Sequence, residues 1–126
     1  MTEQEIKTLK EADSDGLLTY EYIANNIGDC DADIPQLAEV LRDVDRTGQF
    51  TASAARFLNA INPTEYADTV RQLVAATIAR DRERRYLPEL MESLYGTDYE
   101  KRAAELSAAD NNFRRMYKRL YGDSAM

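Results

Sequence analysis

Apolar residues recur along this chain at helical rather than alternating intervals. The clearest stripe is Tyr66, Val70, Leu73, Val74, Thr77 and Ile78, whose i, i+4, i+7, i+8 spacing puts them on one helix face. A second stripe runs through Tyr99, Ala103, Leu106, Phe113, Met116, Tyr117 and Leu120. Both read as core, and the first is long enough to serve a partner helix as well. Glycines at 16, 28, 48, 96 and 122 fall between the periodic segments, and Pro35, Pro63 and Pro88 fall at or near their starts. Those positions suit a helix exit and a first helical turn. Thr2 with Glu5 and Thr97 with Glu100 have capping-box spacing, and Thr19, Asp33, Thr51 and Thr64 stand where an N-cap is wanted. The partition predicts helices at about 3–12, 20–27, 34–44, 52–61, 65–86, 88–95 and 98–121.

The expected fold class is therefore all-α, a compact multi-helix domain of about six to seven helices. Residues 1–126 read as a single helical domain. Positions 3–61 are expected to hold two short helix-loop-helix repeats, and 64–121 a longer antiparallel helical pair. The repeat is visible in the residues. Leu9-Lys10-Glu11-Ala12-Asp13-Ser14-Asp15-Gly16-Leu17-Leu18-Thr19 recurs 32 positions later as Leu41-Arg42-Asp43-Val44-Asp45-Arg46-Thr47-Gly48-Gln49-Phe50-Thr51.

These acidic, glycine-centred loops resemble EF-hand calcium loops. With Asp43 as first loop position, Asp45 is third, Thr47 fifth, Gly48 sixth and Phe50 eighth; the earlier copy supplies Glu11, Asp13, Asp15, Gly16 and Leu18. The resemblance implies oxygen ligation of a hard cation, with Asp13, Asp15, Asp43 and Asp45 as the candidate metal residues. Two departures count against it. The twelfth position, which should carry a bidentate Glu, is Tyr22 in one copy and Ala54 in the other. The residue before the first ligand is Lys10 or Arg42 where an apolar one belongs, which turns the apolar face by about 100°. An acidic turn, a Gly and a Thr explain the motif without metal, and calcium is expected to leave the protein unchanged.

Composition changes the picture by exclusion. The chain has no His and one Cys, so imidazole bases, Ser–His and Cys–His pairs and cysteine-cluster metal sites are unavailable. Cys30 sits between Asp29 and Asp31, a setting that should raise its thiol pKa rather than activate it. Glu89 and Glu92 share a predicted helix but have nothing to set them above solvated surface. No enzyme activity and no cofactor are expected. The lone cysteine and the polar N-terminus point to a cytoplasmic protein, and the apolar run near Leu73 is too short for a membrane span.

Charge is unevenly spread. Residues 1–62 hold 12 acidic against 5 basic side chains, and residues 63–126 hold 11 of each, for a total of −7. The second half concentrates its cations in two clusters, 80–86 and 114–121. Arg84, Arg85, Arg114, Arg115, Lys118, Arg119 and Tyr121 form a candidate partner or nucleic-acid surface, since cations interleaved with aromatics pair phosphates and stack bases. The global charge disfavours a polyanion. The leading expectation is a non-enzymatic protein-interaction or regulatory module, perhaps better put as one that binds a protein partner or itself. Single-stranded nucleic-acid binding is the alternative, and a calcium-responsive module comes third.

Overall fold

The computed structural model describes residues 1–122, and among them the chain forms eight α-helices, two 3-10 turns and no strand. The helices are α1 (Glu3–Ala12), α2 (Leu17–Asn26), α3 (Ile34–Val44), α4 (Gln49–Ile61), α5 (Ala67–Arg80), α6 (Leu87–Tyr95), α7 (Ala103–Ala109) and α8 (Asn111–Tyr121). The 3-10 turns are Asp31–Asp33 and Tyr99–Arg102. The all-α class holds. No helix is long and apolar enough to cross a membrane.

Helix α4 is central, packing against α2, α3, α5 and α6. One continuous core runs from Ile23 through Leu37, Leu41, Leu58, Leu73, Leu87 and Leu90 to Phe113 and Met116. Phe113 is fully buried and meets Tyr95 edge-on at 5.0 Å and Tyr117 in a stack at 5.7 Å, which locks α8 onto α6.

The two long helices expected at 65–86 and 98–121 are each broken, and in both an aspartate does the breaking. The amide of Asp81 donates to the Thr77 carbonyl and closes α5, while its carboxylate accepts the amides of Arg85, Tyr86 and Leu87 at 2.8–3.0 Å and opens α6. Asp110 closes α7 on Leu106 and caps α8 through Phe113. An apolar stripe cannot report such a break, because the short carboxylate competes for amides without disturbing the spacing on either side. The longer antiparallel pair is thus four helices.

The same device builds the repeat. Asp13 ends α1, and its two oxygens accept the amides of Asp15, Gly16 and Thr19 and the Thr19 hydroxyl, at 2.6–3.3 Å. Asp45 ends α3 and accepts the amides of Thr47, Gly48, Phe50 and Thr51. Three residues after each aspartate the chain must turn left-handed: Gly16 at φ 108° and Gly48 at φ 88°. Arg84 occupies that position after Asp81, at φ 59°, the one non-glycine residue with positive φ among those described. Residues 77–87 are therefore a third copy of the turn, concealed in the sequence because Arg stands where glycine would.

Several expected caps act differently. Thr19 and Thr51 lie inside α2 and α4, fully buried, because Asp13 and Asp45 already hold the helix-opening amides. Asp33 precedes α3 without capping it and takes the Met1 amine at 2.5 Å. Asn62, not Thr64, accepts the Glu65 amide. Thr97 and Glu100 form no capping box, since the chain enters a 3-10 turn at Tyr99. The Thr2–Glu5 box forms as expected.

Candidate functional site

The metal candidates are spread apart by the turn. Asp13 and Asp45 are buried with their oxygens already spent on backbone amides. Burial pushes the Asp13 carboxyl up, but hydrogen bonds from the Thr19 side chain and the Thr19, Gly16 and Asp15 amides outweigh it and hold its pKa below the usual carboxylate value. Asp15 is exposed and accepts the Leu17 amide, and Asp43 faces outward to pair with Lys10 at 2.7 Å. Among the described residues no three potential metal-ligating side chains come together. Cys30 is buried, and burial followed by the Asp31 charge pushes its thiol up. Glu89 is held by Arg56 at 3.0 Å.

The seven nominated surface residues divide. Two are helix caps for each other's helix: Arg119 donates to the carbonyls of Ile78 at 2.6 Å and Asp81 at 2.9 Å, and Arg84 donates to the carbonyl of Arg119 at 3.3 Å. Cations at these carbonyls complement the helix dipoles. Arg114 is tied to Asn111 on its own helix. Tyr121 packs its ring on Tyr117 at 4.5 Å and donates to Glu100 at 2.6 Å, so the ring nominated for base stacking is already engaged. The Glu100 bond, then the Tyr99 hydroxyl, push its pKa well up.

Arg85, Arg115 and Lys118 belong to something larger that the sequence did not reveal. Arg46, Arg82, Arg85 and Tyr86 surround a cleft between the second and third turns, and Arg80 completes it. Arg80 also lines the adjoining groove with Arg42 and Arg115. Arg115 in turn lines a third depression with Lys118 and Arg119. The shared residues join the three into one band of cations drawn from α3, the second turn, α5, the third turn and α8. Arg42 and Arg46 come from the acidic half of the chain, which is why a reading by halves missed them.

Within the band, Arg42, Arg46, Arg80, Arg82 and Arg115 make no ion pair with a described residue, and the Nε of Arg42 is buried without a hydrogen-bond partner. The nearby carboxylates do not neutralise them. Asp43 is held by Lys10, Glu83 by Arg85 at 2.7 Å, and Asp81 by its backbone amides. Guanidinium groups present planar donor pairs suited to carboxylate or phosphate oxygens.

The stripe offered as a partner-helix surface is not available. Val70, Leu73, Val74, Thr77 and Ile78 are all buried in the molecule's own core, and the outer face of α5 carries Asp68, Arg71 and Gln72. Association between copies would have to use another face. A depression at the α7–α8 junction, floored by Val70 and Val74, has its polar rim committed: Tyr95 donates to Asp110 at 2.8 Å and Asn112 to the Arg71 carbonyl. No protein-family model, curated protein or solved structure matches this chain.

Proposed function

We propose that this protein is a non-enzymatic interaction module that docks an acidic protein segment on the arginine band. The observation that carries the reading is the convergence of five unpaired guanidinium groups in a chain whose net charge is −7. Like charges gathered this way repel one another, and an anionic partner relieves that repulsion while forming paired N–H to O contacts. Discrete carboxylates suit the band better than a phosphate backbone does. Glu39, Asp43 and Glu83 interrupt it, and the Tyr121 ring is occupied. The buried, single Cys30 fits a cytoplasmic setting.

The test is fluorescence anisotropy with a labelled Asp/Glu-rich peptide of about twelve residues, beside an oligothymidine of equal charge. The peptide should bind at low salt, weaken as salt rises, and lose at least tenfold in affinity in the Arg80→Glu, Arg115→Glu double variant. Peptide binding indifferent to those changes overturns the assignment. Preference for the oligothymidine makes the partner a nucleic acid instead.

A further inference from the structure

The turn repeat makes two helical units directly comparable, α1–α2 and α3–α4, and one face of the first is open where the same face of the second is closed. In the second unit Leu37, Val40, Leu41 and Ala54 are fully buried, and α5 packs against both α3 and α4. The equivalent positions 32 residues earlier are Glu5, Thr8, Leu9 and Tyr22, and these line a groove of about 400 Å³ with Met1 and Ala12. Helix α1 has no buried residue. Leu18 and Tyr22, four apart on α2, are 49% and 41% exposed. An amphipathic helical unit has kept its helix-receiving face without a helix to receive.

We infer that this groove binds an amphipathic, basic helix of a partner protein, seated on α1–α2 as α5 is seated on α3–α4. Charge sets the chemistry. Glu3, Glu5, Glu11, Asp15 and Glu21 are exposed on or between the two helices, against a single exposed cation, Lys7. Lys10 is already paired with Asp43. A helix laid in an apolar groove anchors through residues at i, i+3, i+4 and i+7, and cations on its flanks meet this acidic rim. The arginine band offers no such helix from a second copy, since the apolar face of α8 (Phe113, Met116 and Tyr117) is buried in its own core. The groove and the arginine band are separate surfaces, so this inference goes beyond the proposed function and does not depend on it.

The chain has no Trp, so one Trp placed in a probe peptide reports binding without background. The probe is a synthetic helix of about eighteen residues with Leu at i, i+3, i+4 and i+7, Lys elsewhere and one central Trp, titrated with the full chain. We expect saturable binding with a blue-shifted emission. Affinity should fall at least tenfold in the Leu18→Ser, Tyr22→Ser double variant. It should fall comparably for a peptide of the same composition with its Leu residues scattered, and for one with Glu in place of Lys. The Arg80→Glu, Arg115→Glu variant should bind the probe unchanged, which separates this site from the arginine band. Circular dichroism of the Leu18→Ser, Tyr22→Ser protein should match the parent, because both side chains are exposed. Equal binding of the scattered or the Glu peptide, or no effect of the groove substitutions, overturns the inference. Sedimentation showing dimers that those substitutions abolish also overturns it, by giving the groove to a second copy.

Discussion

The first and second helical units share a sequence pattern and a turn, yet one is core and the other is rim. Asp13 and Asp45 receive nearly the same set of amides, and Thr19 and Thr51 are both fully buried beside them. Beyond the turn the resemblance ends. Leu41 is fully buried while its counterpart Leu9 is half-covered, and Ala54 is fully buried where Tyr22 is open. The second turn is also wired into its neighbour: Thr51 and Thr77 share a 2.8 Å hydroxyl contact, and Gly48 faces the Asp81 backbone. Local chemistry thus sets how a pair of helices turns, and placement sets whether that pair carries stability or is left open for binding.

The largest effect should separate the two aspartates. Asp45→Ala leaves several buried amides unpaired at the centre of the fold and should cost about 3–4 kcal/mol, against about 1–2 kcal/mol for Asp13→Ala at the rim, measured by urea unfolding. Equal costs would mean that the turn matters irrespective of its surroundings. Asp13 also gives the comparison a pH axis. Its pKa is lowered in the folded state, so its contribution is full above the ordinary carboxylate value of 3.8 and is lost as pH falls through the lower folded value. Asp13→Asn should therefore flatten the acid limb of a stability-versus-pH curve.

The left-handed position gives the next contrast. A Cβ on Gly48 would meet the Asp81 Cβ at 3.3 Å and backbone atoms of Asp81 and Thr77 at 3.4 Å, at a φ that L-residues avoid. Gly48→Ala should cost about 2 kcal/mol. In the third turn the same conformation is already occupied by a side chain, so Arg84→Gly should stabilise by about 0.5–1 kcal/mol, less what its bond to the Arg119 carbonyl contributes. A destabilised Arg84→Gly protein would show that the cap of α8 outweighs the backbone strain. Thermal melts of both variants decide it.

The smallest effect belongs to the open groove. Tyr22→Ala should change stability by under about 0.5 kcal/mol, whereas the mirrored change, Ala54→Tyr, overpacks the core and should cost about 3 kcal/mol. A large loss at Tyr22 would place that ring in the core and close the groove.

Much of the helical layout was legible because it is local. Residue spacing located α1, α3, α4 and α6 closely, and the Thr2–Glu5 box forms as its spacing predicts. The breaks at Asp81 and Asp110 were hidden, because an aspartate that ends a helix resembles one on its solvated face until its amides are traced. The third turn was hidden by Arg84, since a positive φ at a non-glycine residue leaves no mark in composition.

By itself, then, the sequence determined the all-helical class, the spacing of the turns and the acidic character of the first half, all properties of neighbours within a few residues. Only the tertiary structure decided which of two like units would be buried, and which charges would meet. Arg42 and Arg46 join Arg80, Arg82 and Arg115 across five separate segments, and the two nominated arginines that cap helices are withdrawn from the surface in the same packing. Such groupings are properties of distance in space, and a charge pattern read along the chain carries no measure of that distance.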